Sequence, residues 1–217
     1  MTPEAPQGYI AARCEEDLRQ YGDDFRGVGY TKSESDQQHR YALMLDIVRE
    51  GDKPVSVLDL GCGLAHMLDH IERDPALGHI RYSGLDISEA YLAQARRRHP
   101  DADLSLRDVL KGDDDLPEYD YVLLNSIFNW RGEIPWAEML EYWQRMLIVA
   151  YRHARCGLAF NVMSKLVEWE RDDLFHLPFD EMATFVASRL SRHLVVRHDY
   201  PGWEYTTYVY REPDQMR

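Results

Sequence analysis

Apolar positions along the chain follow two rhythms. Short aliphatic and aromatic runs at residues 55–60, 80–87, 119–126 and 156–163 read as strands, and residues 103–109 alternate as a further one. The run at 55–60 is almost wholly β-branched or aliphatic, as in a strand buried on both faces. Between these runs apolar residues return at helical spacing: Leu64, Met67, Leu68 and Ile71, then Tyr91, Leu92 and Ala95, then Met139, Leu140, Trp143, Met146 and Leu147. Ser88 caps the second of these helices and Pro135 opens the third. Ahead of the first strand, helices are predicted over 9–21 and 33–48. The second, capped by Ser33, carries Tyr41, Leu45 and Val48 on one face. Residues 23–31 link them as a glycine-punctuated mobile loop with Tyr30 at its tip. A helix over 179–190 and a hairpin of strands 193–200 and 204–210, turning at Pro201, Gly202 and Trp203, complete the chain.

Strands alternating with helices predict an α/β fold: a doubly wound, seven-stranded, mostly parallel sheet with an antiparallel last strand and helices on both faces. No repeat or composition shift divides the chain. One domain over residues 1–217 is expected, with an N-terminal helical lid over about residues 1–50.

The first strand ends at an acid and enters a glycine turn: Asp59, Leu60, Gly61, Cys62, Gly63, Leu64, Ala65. Glycine at 61 and 63 lets the backbone bend sharply and approach a ligand that a Cβ would block. The spacing is one residue tighter than the dinucleotide fingerprint, and no lysine follows to hold a phosphate.

A strand ending in Val-Leu-Asp, followed by Gly-x-Gly-x-Ala, resembles the class I S-adenosylmethionine-dependent methyltransferases, and the order of strands extends the resemblance over residues 33–210. The resemblance implies S-adenosylmethionine as cofactor, with Asp59, Gly61, Cys62 and Gly63 against its methionine part. It makes Asp86, 27 residues after Asp59 at the tip of the second strand, the acid for the ribose hydroxyls, with Ile87 against the adenine. Asp108 takes the adenine amino group, with the backbone of Val109 alongside, and Asn125 lies beside the reactive methyl. Arg40 is either a two-pronged clamp for the cofactor carboxylate or a surface arginine.

With 38 acidic against 25 basic residues the net charge is −13, which disfavours a nucleic-acid acceptor. Three cysteines without metal spacing suit reduced thiols in a cytoplasm, and no metal site is expected; Asp113, Asp114 and Asp115 read as a solvated loop. The first residues do not form a signal peptide, and no apolar run is long enough to span a membrane. A small-molecule acceptor is expected, and a monomer or homodimer. The fourth strand lacks the Asp/Asn-Pro-Pro-Tyr/Phe motif of methyltransferases acting on nucleobase amino groups. Tyr30, Trp130, Arg131, Asn161, Lys165 and Trp203 are the expected acceptor wall, and a mixed cationic and aromatic wall suits a polar, sugar-like compound. His176 is the first candidate base, with Asp172 or Asp173 to orient it, and His66 the second. O-methylation of a sugar, surface-glycan precursor or secondary metabolite is the leading expectation. N-methylation of a small amine and a non-catalytic cofactor-binding protein are the alternatives.

Overall fold

A computed structural model describes residues 5–29, 33–49 and 53–214. In chain order the elements are α1 (Pro6–Tyr21), α2 (Glu34–Leu45), β1 (Val55–Leu60), α3 (His66–Arg73), β2 (Ile80–Asp86), α4 (Glu89–Arg98), β3 (Asp103–Leu106), β4 (Tyr119–Leu124), α5 (Trp136–Arg152), β5 (Ala154–Ser164), β6 (His176–Leu177), α6 (Phe179–Arg189), β7 (His193–Arg197) and β8 (Glu204–Tyr210). The sheet runs β3-β2-β1-β4-β5-β8-β7. Strands β1 to β5 pair in parallel, and β8 lies antiparallel between β5 and β7.

The two-residue periodicity of a strand sorts the core onto both faces. Val57, Tyr121, Leu123, Ala159 and Tyr208 face α2 and α3, meeting Tyr41, Met44, Met67 and Ile71. Leu58, Leu60, Val122, Leu124, Leu158 and Phe160 face α5 and α6, meeting Met139, Trp143, Leu147, Met182 and Val186. Ser33 caps α2 by accepting the Asp36 N–H at 3.1 Å, and Ser88 caps α4 by accepting that of Tyr91 at 3.3 Å.

Several boundaries differ from the sequence expectation; α2 ends at Leu45 and β7 at Arg197, short of the expected 48 and 200. β3 stops at Leu106, so Arg107 and Asp108 leave the sheet. β5 runs to Ser164, and a two-residue strand, β6, pairs with its end in parallel, Met163 opposite His176. Helix α1 begins at Pro6, which needs no N–H partner at a helix start. Among the described residues no helix is long and apolar enough to cross a membrane.

Candidate active site

Strands β1, β2 and β4 end together, and a cavity of about 460 Å³ opens beyond their carboxyl ends. Strand order reverses between β1 and β4, and at such a point an open α/β sheet offers a crevice. Helix α1 crosses over it, contributing Gln7, Ile10, Ala11 and Cys14 to the wall.

The turn after β1 uses left-handed backbone: φ is +86° at Gly61 and +53° at Gly63. A Cβ on Gly61 would stand 2.5 Å from Cγ2 of Ile127, so only glycine fits. The N–H groups of Gly61 and Cys62 both donate to Leu85 O, at 2.7 and 3.1 Å, tying the turn to β2. Gly63 N–H donates to Asp86 Oδ2 and Ser88 N–H to Asp86 Oδ1, each at 2.8 Å. Burial raises the Asp86 pKa, while these backbone donors oppose the shift. Asp59 is buried beside it and accepts the Tyr82 hydroxyl at 3.0 Å. Burial pushes its pKa up to about 7, against the Tyr82 hydrogen bond and with the help of the Asp86 charge. Burial also lifts the Cys62 thiol well above its ordinary range, with the charges of Asp86 and Asp59 adding to it.

Arg40 ion-pairs with Asp36 at 3.2 Å and with Glu204. Asp108 accepts from the Gln7 amide at 3.2 Å and the Leu110 N–H at 3.1 Å, and pairs with Lys111 at 3.2 Å. Arg40, Asp59, Gly61, Cys62, Gly63, Asp86, Ile87, Asp108, Val109 and Asn125 all border this one cavity.

A family model described as a methyltransferase domain matches residues 58–157. A Mycobacterium tuberculosis protein named "Putative methyltransferase Rv1506c" is 31% identical over 170 residues, spanning 75% of this chain and 96% of that protein. The chain belongs to the class I S-adenosylmethionine-dependent methyltransferases. Solved structures share the fold of this methyltransferase. Magnesium protoporphyrin IX methyltransferase from Synechocystis PCC 6803 with bound S-adenosylhomocysteine superposes with a TM-score of 0.64 at 14% identity, covering 95% of this chain and 98% of that one. The DhpI complex with S-adenosylhomocysteine gives 0.54 at 17% identity, covering 97% of each chain.

In this methyltransferase the expected acceptor residues divide. Trp130 and Trp203 border the cavity. Trp130 stacks on Tyr9 of α1, ring centroids 5.4 Å apart and planes 8° from parallel, so the cover and the acceptor side touch. Arg131 does not border the cavity: its guanidinium donates to the carbonyls of Leu174 and Ile134, at 3.3 and 2.7 Å. Lys165 is exposed outside it, ion-paired to Glu170 at 3.0 Å. Asn161 is buried behind the wall, its Oδ1 accepting the Ser126 N–H at 2.6 Å. That bond holds Ser126 at φ +62°, a backbone state uncommon outside glycine and sustained by its surroundings. Tyr30 lies outside the described residues.

Neither histidine is placed as a base. His176 sits buried in β6, away from the cavity. Its Nδ1–H donates to Ser164 O at 2.6 Å, and its Nε2 accepts the Arg171 N–H at 3.3 Å. Both ring nitrogens are committed to backbone, so the ring closes the connection after β5 and leaves no nitrogen for an acceptor proton. His66 does border the cavity. Its Nε2 is 2.7 Å from Asp23, which accepts only, and its Nδ1 is 3.1 Å from the Gln37 amide, which donates to it. Burial lowers its pKa, the Asp23 bond opposing, and the neutral ring serves as a link between α3, α2 and the segment after α1.

Sequence reasoning placed Asn129 near the reactive methyl but passed over Glu204 and the individual α1 residues. All of these border the cavity. Glu204 directly follows Trp203, which was the one available signal.

Proposed function

We propose that this methyltransferase transfers the methyl group of S-adenosylmethionine to the nitrogen of a small amine. The observation that carries this reading is the charge of the cavity wall. The cations expected there, Arg131 and Lys165, are engaged elsewhere, and the wall holds seven acidic side chains, the buried Asp59 among them, against four guanidinium groups. A chamber with that balance favours a cationic or N–H-bearing molecule over a carboxylate or phosphate. Trp130 and Trp203 add flat apolar faces on which such a group can rest. A small-molecule acceptor also agrees with the solved neighbour that is named for magnesium protoporphyrin IX.

The residues present fit the cofactor. Gly61, Cys62 and Gly63 line the cavity, and Asp86 offers a buried carboxylate where paired hydroxyls need one. Gly61, Cys62, Gly63 and Asp59 would hold the methionine part, Asp86 and Ile87 the ribose and adenine edge, and Asp108 with Val109 the adenine amino side. Arg40 would face the carboxylate and Asn125 the methyl. When bound, the cofactor supplies an electrophilic methyl on a sulfonium. The chain's own task is to align the nucleophile and exclude water. Helix α1 covers the crevice and, through Tyr9, steadies Trp130. A neutral amine needs no base to react, which agrees with the engagement of both histidines.

The test is S-adenosylhomocysteine release with a panel of small amines and their hydroxyl counterparts, across pH. Amines should turn over, with the rate rising tenfold per pH unit below the acceptor's own pKa. Turnover of hydroxyl or carboxylate acceptors alone would overturn the reading.

A further inference from the structure

The inner face of α1 returns at helical spacing, with Gln7, Ile10, Ala11 and Cys14 all on the cavity. The helix is tied to the sheet edge at both ends of that stretch. At one end Ser88 Oγ donates to Glu15 Oε1 at 2.6 Å, and the Tyr91 hydroxyl lies 2.8 Å from Cys14 O. Ser88 is also the residue whose N–H holds Asp86, so this tie stands beside the acid proposed for the ribose. At the other end, seven residues before Cys14 and so about 10 Å along the axis, Gln7 Nε2 donates to Asp108 Oδ2 at 3.2 Å. That rise matches the length of an adenosine from its ribose hydroxyls to its 6-amino group. Helix α1 therefore lies along the line from Asp86 to Asp108, with Ile10 and Ala11 between its two ties.

The Gln7–Asp108 bond stands in the end wall of the cavity. Gln7, Ala11, Ile87, Arg107 and Asp108 border both the cavity and a second hollow of about 440 Å³ beside it. A carboxylate only accepts, so the amide gives it Nε2 and keeps Oε1 for another donor. Gln7 Oε1 has no hydrogen-bond partner among the described residues and is not sealed in. Asp108 accepts the Leu110 N–H on Oδ1, and on Oδ2 it meets Lys111 as well as Gln7. Those partners use three of roughly four acceptor directions and leave one on Oδ1. Lys111 is a solvent-side partner, its side chain 82% exposed.

We infer that Gln7 is a specificity-determining residue for the cofactor: its Oε1 and the Asp108 carboxylate accept the two N–H bonds of the adenine 6-amino group. The inference rests on the reading of Asp108 given above and adds a second acceptor to it. The two acceptors belong to groups already joined by a hydrogen bond, so one amino group between them reaches both. A 6-oxo purine places an oxygen there, and two acceptors then face a third. Turning the Gln7 amide round to serve that oxygen would set its own Oε1 against Asp108. Because Gln7 belongs to the covering helix, the cover itself reads the base.

Calorimetric titration with S-adenosylhomocysteine and with S-inosylhomocysteine, its 6-oxo counterpart, tests the assignment. The parent should prefer the adenine compound by at least about thirtyfold, and Gln7→Met should cut that ratio about tenfold. Asp108→Asn, which turns an acceptor into a donor, should cut it too. The ratio is the readout because the fastening of α1 contributes to both ligands alike. Equal losses for the two ligands in Gln7→Met would make Gln7 a fastener of the helix and overturn the inference. A ratio kept by Gln7→Met but lowered by Asp108→Asn would also overturn it, while leaving the adenine assignment of Asp108 in place. A ratio kept by both variants, or a parent without the preference, would remove that assignment and the inference with it.

Discussion

Asp59 gives a pH signature that can be worked out before any acceptor is known. It is 3% exposed at the end of β1, and burial pushes its pKa up to about 7. In the unfolded chain the same carboxyl ionises near pH 3.8. Between those values the folded protein binds the extra proton, so stability falls as pH rises through the window and is flat above it. Each pH unit is worth about 1.4 kcal/mol, so the whole window amounts to at most about 4 kcal/mol. Asp59→Asn keeps an oxygen for the Tyr82 hydroxyl and removes the ionisation. Urea unfolding of parent and variant should therefore diverge, the variant gaining about 2 kcal/mol on the parent between pH 5.5 and 7 and no more beyond. The positive charge of S-adenosylmethionine relieves the same penalty, so its thermal stabilisation should grow with pH in the parent and stay level in the variant. Parallel unfolding curves across that range would refute the argument and make Asp59 an ordinary carboxylate.

Asp86→Ala should weaken S-adenosylhomocysteine binding by about 1–3 kcal/mol in calorimetry, because buried hydroxyls lose their acceptor; unchanged affinity would remove the ribose assignment. Gly61→Ala should destabilise the fold by about 1–2 kcal/mol for left-handed backbone plus about 1–3 kcal/mol for the clash with Ile127. Repeating it in an Ile127→Ala background should remove only the second part, and an unchanged cost in urea unfolding would show that the clash is relieved another way. His176→Ala should lower stability by about 1–3 kcal/mol through the lost Ser164 and Arg171 bonds, yet leave the pH dependence of turnover unmoved; loss of the alkaline or acid limb would restore the base.

The glycine turn was legible because its requirement is local. Two residues at positive φ and an acid at a strand end have few alternatives, and the residues proposed for the cofactor, Arg40 and Gln7 apart, lie at or just after the carboxyl ends of strands. Helix α1 was visible as a helix within an expected N-terminal lid, but the residues it turns to the cavity were not. Only Leu18 of its sixteen residues is fully buried, because its inner face covers a cavity instead of core. A helix over a crevice leaves no clean apolar stripe to read. β6 escaped for a different reason: two residues in a polar connection carry no periodicity, and their pairing is fixed by Met163 and Ser164 far upstream.

The acceptor wall was misread where charge was treated as if it pointed at a ligand. In this chain the cations near the site are neutralised at short range. Lys165 meets Glu170, and Arg131 spends its donors on two carbonyls. Long cationic side chains find such partners because a loop can supply carbonyls and acids at almost any spacing. Exposed pairs of this kind are worth little energetically, but they still remove the cation from the wall. Asn129 and Glu204 show the opposite case. Asn129 was expected near the methyl from its place after β4, but Glu204, 75 residues on, comes beside it only through the pairing of β8 with β5. Their chemistry exists as a relation between two strand ends, so it depends on a topology that no local pattern encodes. The cofactor half of the site is thus written in segments, and the acceptor half in the order in which the sheet assembles them.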